Sequence, residues 1–317
     1  MTDVLQATFI VGLFAGMIRI ATPILLAAMG ELVAESAGIL NLSIEGTMLM
    51  GAFSGFLVAH ITGSLWLGVV AAIASGALIG LLMAFLSATL RADQTVSGLA
   101  LNIVASGLAF YLFRLAFKNA GSQNLPSVGA FSTVEIPLLG QIPFLGEVLF
   151  TQHALTYLAF LLVPLISLFL FRTRPGLELR SIGENPRAVD MRGLNVVRRQ
   201  YLAVIFGAMM AGLAGSFLSL ASAGLFVPDI AGGRGWIALA IVIFGNWLPA
   251  RILFGALFFG LIDSSQLALQ AVGLHLPYQL LLALPYLLTI AALVVNRSRS
   301  RSPLALGRPY NRAERGA

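Results

Sequence analysis

The chain alternates between long apolar segments and short polar ones, and this alternation recurs along most of its length. A helix needs about 20 consecutive apolar residues to cross the hydrocarbon core of a bilayer. Segments of this kind lie at residues 6–29, 39–60, 64–89, 95–116, 150–171, 201–223, 235–250, 252–272 and 277–296. The pattern therefore predicts about nine membrane crossings, within a range of about eight to ten.

The apolar segments are rich in Leu, Ala, Gly and Phe, and they show no period-two alternation of apolar and polar residues. Because a transmembrane β-barrel requires that alternation, the sequence predicts an all-α, polytopic helical bundle. Two segments leave alternatives open. The opening stretch is compatible with an unbroken or a broken helix, and the short segment from Trp236 either crosses the membrane or dips in and returns.

Composition supports a membrane protein. Of 317 residues, 58% are hydrophobic and only 10% are charged, whereas a soluble globular domain typically has about 25% charged residues. The N-terminus has no basic region of the kind that opens a signal peptide, so we expect the first apolar segment to be retained. The chain has no cysteine, which excludes disulfides and thiolate chemistry.

Basic residues are concentrated in two polar segments. Of the 19 Lys and Arg residues, seven lie in 172–200 and six in 297–317. Loops rich in Lys and Arg stay in the cytoplasm, so we expect both segments there and the polar excursion at 117–149 on the opposite side. The expected division is a transmembrane domain at 1–296 followed by a basic tail. Basic residues beside a membrane ordinarily determine topology, so we do not expect the tail to bind nucleic acid.

Enzymatic and metal sites are not indicated. The three histidines, His60, His153 and His275, are scattered without metal-ligand spacing, so no metal site is expected. A phosphate-binding P-loop needs Gly-Lys-Ser/Thr, and the only lysine, Lys118, is followed by Asn119. If ATP drives this protein, another subunit binds it, and we expect no cofactor on this chain.

The stretch GLELRSIGENPRAVDMRGLN, within 172–200, predicts a folded loop with two short helices. Pro175 and Gly176 break the preceding crossing, Pro186 suits a first helical turn, and Gly193 suits a helix end. Charges of alternating sign follow one another at Arg180, Glu184, Arg187, Asp190 and Arg192. This alternation favours docking into a polar groove of a partner, with a solvated cytoplasmic loop as the alternative.

The stretch ESAGILNLSIEGTMLMGAF, which begins at Glu35, places polar residues where an apolar crossing is expected. Asn41 and Glu45 are four residues apart, so a helix would turn both toward the bundle interior, away from lipid. A charged residue at mid-membrane costs about 2.5–3.5 kcal/mol on insertion scales. We therefore take both as candidates to line a translocation path. The alternatives are that Glu45 pairs with Arg19 or that it lies at the cytoplasmic interface.

Other polar groups lie within or beside predicted crossings. Asn102, Arg234 and Asp263 are further candidates for the path. A structural ion pair of Arg234 with Asp229 or Asp263 is the alternative role for this group. Glycines spaced four apart predict close helix packing; the pairs are Gly12/Gly16, Gly51/Gly55 and Gly76/Gly80.

Three motifs carry a family resemblance: ESAGILNLSIEGTMLMGAF, GLELRSIGENPRAVDMRGLN and GGRGWIALAIVIFGNW, in this order and at this spacing. They resemble permease subunits of bacterial ABC importers in the branched-chain amino acid and ribose permease superfamily. Within it, the chain most resembles the nucleoside and simple-sugar branch. The resemblance covers about residues 20–265.

The resemblance implies an inner-membrane permease with a cytoplasmic C-terminus that imports nucleosides or related sugar-containing solutes. It implies three protein partners: a second homologous permease, a cytoplasmic ATPase that carries ATP and Mg, and an extracytoplasmic substrate-binding protein. The residues implied to couple to the ATPase are Gly183, Glu184, Asn185, Pro186, Arg187 and Asp190. Alternatives are a permease for a simple sugar or a branched-chain amino acid, or a secondary transporter or channel that acts alone.

Overall fold

A computed structural model of the chain describes residues 2–118, 126–137, 139–140, 142–271 and 302–311. The predicted crossing at 277–296 lies outside the described residues, as do most of the predicted tail and part of the polar excursion at 117–149. The described residues form a helical bundle with two very short strands. The predicted all-α class is confirmed.

In chain order the helices are α1 (Thr2–Ser36), α2 (Ile44–Thr62), α3 (Leu65–Ala84), α4 (Gln94–Ala116), α5 (Leu145–Leu149), α6 (Ala154–Arg172), α7 (Arg174–Glu184), α8 (Pro186–Met191), α9 (Val196–Ser216), α10 (Arg234–Phe244) and α11 (Pro249–Ala271). The helices α3 and α9 continue as π-helical turns at Phe85–Thr89 and Phe217–Ala223. Seven helices within the described residues are long and apolar enough to cross a membrane: α1, α2, α3, α4, α6, α9 and α11.

The first two helices differ in extent from the predicted segments 6–29 and 39–60. α1 is continuous and contains Pro23, so the opening helix is not broken. α2 begins at Ile44 rather than at residue 39, because Gly38 adopts a left-handed conformation (φ +81°) that ends the preceding helical turn. Asn41 therefore precedes α2, and the expectation that Asn41 and Glu45 share one helical face is wrong.

The core of the bundle is formed by α1, α2, α3 and α9, where glycines let the backbones approach. A Cβ on Gly51 would meet the backbone of Gly212, and a Cβ on Gly76 would meet the carbonyl of Ala208. Close packing at these two glycine spacings is therefore confirmed. Gly12, in the third predicted pair, has no neighbouring atom within 4 Å of a Cβ built on it.

The bundle has two distinct ends. At one end, β1 (Thr133–Glu135) pairs antiparallel with β2 (Thr151–His153), and we call it the hairpin end. At the other end lie α7 and α8, which we call the arginine face. The 19 residues of α6 connect β2 to the arginine face, and a helix of that length spans about 28 Å at 1.5 Å per residue.

Candidate functional site

The link between α1 and α2, residues 37–43, is organised by buried hydrogen bonds. The backbone N–H of Asn41 donates to Glu31 Oε1 of α1 at 3.0 Å. The backbone N–H and the hydroxyl of Ser43 both donate to Asn41 Oδ1, at 3.1 and 2.6 Å. Asn41 is 1% exposed, and its Nδ2 is buried without a hydrogen-bond partner among the described residues. Asn41 therefore shapes the turn that leads into α2.

Glu45, in the first turn of α2, joins this helix to α10. Its Oε1 accepts a hydrogen bond from the N–H of Gly233 at 2.7 Å, and its Oε2 accepts one from the N–H of Gly235 at 2.6 Å. These donors lie at the N-terminus of α10, where backbone amides lack partners within the helix and the helix dipole is positive. The carboxylate therefore caps a helix that lies about 190 residues away in sequence.

The helix α10 is too short to cross a bilayer. It has 11 residues, or about 16 Å at 1.5 Å per residue, against a hydrocarbon core of about 30 Å. The predicted crossing at 235–250 is therefore a half-length helix. A Cβ on Gly235 would lie 2.7 Å from the Cα of Glu45, so the absence of a side chain allows α10 to approach α2 this closely.

Arg234 opens α10 and is surrounded by acceptors and negative charge. Its Nη1 donates to the carbonyl oxygen of Ala231 at 3.1 Å. Its positive charge also interacts with the carboxylates of Glu45 and Asp263. Asp263 is half-buried on α11. Among the described residues Arg234 forms no ion pair with Asp229 or Asp263, so the predicted ion pair is wrong; its guanidinium bonds backbone carbonyl oxygens and interacts with Asp263 and Glu45 only at longer range.

Asn102, on α4, contacts the first turn of α2. Its Oδ1 accepts a hydrogen bond from the N–H of Gly46 at 2.6 Å. A Cβ on Gly46 would lie 2.9 Å from the Cα of Asn102, so the two backbones also approach closely. Glu45 thus lies in the first turn of α2, and Asn41 and Asn102 contact the start of this helix. Arg234 lies at the start of α10, which packs against the start of α2.

Four further residues of this region were missed by the sequence analysis. Glu31 and Glu35 lie one turn apart on α1, and both are buried. The Nε1–H of Trp247 donates to Glu35 Oε2, and Gln94 Oε1 accepts from the N–H of Leu40 in the α1–α2 link at 2.8 Å. The signal that was available is the spacing of the two glutamates, which places both on one face of a helix.

Arg19 lies elsewhere. It is an exposed residue of α1 and lines a cavity of about 720 Å³ with Glu135 and Glu147 near the hairpin end. The carboxylate of Glu45 accepts hydrogen bonds from backbone amides of α10. The alternative pairing of Glu45 with Arg19 is therefore wrong for the described arrangement. Burial lowers the pKa of His153, and the positive charge of Arg19 lowers it further.

The predicted helix pair is present at the arginine face. Asn185 caps α8, since its Oδ1 accepts from the N–H of Ala188 at 3.1 Å. Pro186 occupies the first helical position, and Gly193 adopts a left-handed conformation (φ +79°) just beyond the helix. As the sequence predicted, Pro186 begins the helix and Gly193 follows its end.

The residues implied to couple to an ATPase differ in exposure. Glu184 and Arg187 are exposed, whereas Gly183 is buried and Asp190 is partly buried. A Cβ on Gly183 would lie 2.5 Å from the carbonyl oxygen of Ser36. The end of α7 is thus seated directly on the end of α1.

The polar groups of this region are hydrogen-bond donors and acceptors. Within the part of the chain that the structure describes, no group of three or more His, Asp or Glu side chains could hold a metal ion. The amides, carboxylates and guanidinium described above can donate to and accept from polar groups of a solute.

Comparisons with known proteins agree with these features. A family model described as branched-chain amino acid transport system / permease component matches residues 13–293. The chain is 39% identical to the putative glucose ABC transporter permease protein TsgC13 of Haloferax volcanii, over 96% of this chain and 99% of that relative. It is 36% identical to the guanosine ABC transporter permease protein NupQ of Bacillus subtilis, over 93% of this chain and 95% of the relative. It is 33% identical to the nucleoside ABC transporter permease protein NupC of Lactococcus lactis, again over 93% and 95%.

Proposed function

The chain belongs to the family of permease components of branched-chain amino acid transport systems, and from this premise we propose that it is the permease of an ATP-driven importer for nucleosides or related sugar-containing solutes. The observation that carries the proposal is the junction at Glu45, where a carboxylate of α2 closes the N-terminus of the half-length helix α10. Interrupted helices whose N-termini end inside a bundle are typical of solute sites in transporters.

The solute class follows from chemistry that the relatives share. The names of three relatives contain guanosine, nucleoside or glucose. A nucleoside carries a sugar ring, so the common feature is a ring with several hydroxyl groups. Asn41, Asn102 and Arg234 supply donors and acceptors that suit hydroxyl groups. Simple sugars are the alternative that the relatives favour, and branched-chain amino acids are the one that the family description favours.

We infer that the partner permease is a different, homologous polypeptide. Two organisms contribute a pair of relatives each, TsgC13 with TsgB13 and NupC with NupB. This chain is 39% identical to TsgC13 but 28% identical to TsgB13, and the second match covers 76% of the chain. The chain thus corresponds to one particular member of each pair, which supports a heterodimer. A substrate-binding protein on the outer side completes the importer.

ATP and Mg are assigned to a separate cytoplasmic ATPase. The chain has no P-loop, since its single lysine, Lys118, is followed by Asn119. The ATPase docks on the helix pair around residues 183–190, whose exposed Glu184 and Arg187 present charges of both signs. This places the arginine face in the cytoplasm and the hairpin end outside the inner membrane, as the distribution of basic residues favours.

In the proposed mechanism, the path opens first to one side of the membrane and then to the other. Asn41 and Glu45 are 1% and 7% exposed, which supports a path that is closed at this point. Nucleotide binding closes the ATPase dimer and shifts the docked helix pair, which is seated on the end of α1. That shift changes the relative stability of the open and closed arrangements of α10 against α2.

The test is reconstitution of both permeases, the ATPase and the binding protein in proteoliposomes. We expect ATP-dependent uptake of guanosine or of a sugar, and no uptake with this chain alone. Reversal of both exposed charges, Glu184→Lys with Arg187→Glu, should abolish uptake while the two permeases still assemble. Glu147→Lys, an exposed charge reversal at the hairpin end, is the matched control. Uptake that needs neither ATP nor the partners would refute the importer and favour a transporter or channel that acts alone.

A further inference from the structure

Residues 302–311, which we call the tail segment, lie against the arginine face. The N–H of Ala305 donates to the carbonyl oxygen of Gly183 at 2.8 Å. The hydroxyl of Tyr310 donates to Asp190 Oδ2 at 2.9 Å. The tail segment is therefore anchored at both ends of the helix pair that docks the ATPase in our proposal.

The tail segment also contacts two other elements. Nη1 of Arg91, in the loop before α4, donates to Asn311 Oδ1 at 2.9 Å. A Cβ on Gly38, in the α1–α2 link, would lie 3.5 Å from the carbonyl oxygen of Ala305. One short segment thus touches the helix pair, the loop before α4 and the link that leads to Glu45.

A groove of about 420 Å³ lies between the tail segment and the helix pair. Glu184 and Arg187 line one side of it, and Leu304, Arg308 and Pro309 line the other. Leu304 is 72% exposed. An exposed leucine among charged residues of both signs is the pattern of a protein interface, in which an apolar contact is surrounded by a polar rim.

We propose that the tail segment completes the surface on which the cytoplasmic ATPase docks, with Leu304 and Arg308 contacting the ATPase beside Glu184 and Arg187. This inference rests on the function proposed above and extends its docking site to residues that are far away in sequence. The surface suits an ATPase face with an apolar depression bordered by carboxylates, because two of its three charges are positive.

A membrane surface fits the groove less well. Anionic headgroups attract basic clusters, but Glu184 places a negative charge within this one. The tail segment also packs on the helix pair through backbone and side-chain hydrogen bonds, which gives it a defined position. A defined surface with both charge signs favours a protein partner.

Cysteine labelling provides the first test, because the chain has no native cysteine. Leu304→Cys and Ile61→Cys are matched, since both side chains are 72% exposed and Ile61 lies at the far end of α2 from the arginine face. A water-soluble maleimide should label both at similar rates in the permease pair in nanodiscs. In the complex of the permease pair with the ATPase alone, without the substrate-binding protein, labelling at 304 should fall several-fold while labelling at 61 is unchanged.

Affinity provides the second test. Leu304→Asp introduces a charge at the centre of the surface and should weaken ATPase binding about tenfold or more, as interface centres do. Ile61→Asp should leave it unchanged. Leu304→Ser, which adds no charge, should have a smaller effect in the same direction. Assembly of the two permeases, checked by size-exclusion chromatography, should be normal in all three variants.

The outcomes separate the two proposals. If the wild-type permease pair does not bind the ATPase at all, the function proposed above fails. If the wild type binds but Leu304→Asp binds equally well and labelling at 304 does not change, the tail segment is not part of the docking surface. If labelling at 304 is already blocked in nanodiscs without the ATPase and is restored in detergent, a lipid surface covers the groove and the inference is overturned.

Discussion

Removal of the Glu45 carboxylate is the most direct perturbation of the junction between α2 and α10. In Glu45→Ala, the N–H groups of Gly233 and Gly235 both lose their acceptor. Glu45→Gln keeps one acceptor oxygen but turns an NH₂ donor toward the other N–H, so it leaves one amide unsatisfied. The two substitutions therefore remove different parts of one contact.

The magnitude can be estimated from the two hydrogen bonds. A buried donor left without a partner costs about 1–3 kcal/mol, and loss of a negative charge at a helix N-terminus costs about 0.3–2 kcal/mol. We expect Glu45→Ala to reduce the free energy of unfolding by about 3 kcal/mol or more, and Glu45→Gln by about half as much. Water that enters the site would reduce both values.

The assay is thermal unfolding of the permease pair in nanodiscs, together with ATP-dependent uptake by the full importer. Glu147→Gln is the control, because it makes the same chemical change at an exposed position. The contact with α10 also predicts that Arg19→Gln does not rescue Glu45→Gln. Rescue by Arg19→Gln, or a Glu45→Ala protein as stable as the wild type, would refute the reasoning.

Single cysteines at positions 41 and 45 test whether these residues line the path during transport. Both side chains are almost fully buried in the described arrangement, so we expect each cysteine to resist a water-soluble thiol reagent in that state. Reactivity should appear when nucleotide trapped on the ATPase changes the side to which the path opens. A cysteine at each position that stays inert in every nucleotide state of a transporting complex would remove both residues from the path.

Three further predictions follow from individual contacts. Gly235→Ala should destabilise the protein by about 1–3 kcal/mol in the unfolding assay, because the new Cβ overpacks against α2. Gly107→Ala is the control: no atom lies within 4 Å of its new Cβ, so it should be neutral or slightly stabilising. Trp247→Phe should cost about 1–3 kcal/mol, because a buried carboxylate on α1 loses its donor; an unchanged melting temperature would contradict this. A reporter fused after Gly129 should be active outside the cytoplasm and one fused after Arg299 inside it, and the reverse result would overturn the proposed orientation.

The membrane helices were predictable because bilayer thickness fixes their length. The segments predicted at 64–89 and 95–116 differ from the observed spans Leu65–Thr89 and Gln94–Ala116 by one residue at most. The helix pair of the arginine face was predictable for a different reason. Proline and glycine restrict the backbone locally, so Pro186 and Gly193 act through their own conformations without help from distant residues.

The start of α2 and the length of α10 could not be read from hydropathy. Residues 37–43 are as apolar on average as a crossing, but their polar backbone is satisfied by distant side chains, including Glu31 and Gln94. A non-helical stretch is tolerated at membrane depth only where protein covers it. The sequence does not show which side chains cover residues 37–43, nor that Glu45 caps α10. Both depend on contacts between residues that are far apart in the chain.

α10 is fixed to its neighbours at both ends, and the two attachments differ in a way that bears on how it could move. The N-terminus of α10 is held by Glu45, which is 7% exposed. Beyond its C-terminus, Trp247 donates a hydrogen bond to Glu35, which is 0% exposed. Breaking the second contact would leave an oxygen of the fully buried Glu35 side chain without its hydrogen-bond donor, whereas breaking the first frees a carboxylate that water can reach more easily. Asn246 and Trp247 also adopt positive φ angles of 51° and 55°, a conformation that is costly for residues other than glycine and that persists where the surroundings hold it. The contact of α10 at Glu45 is therefore the less costly of its two attachments to break, and the contact at Trp247 is the more costly one.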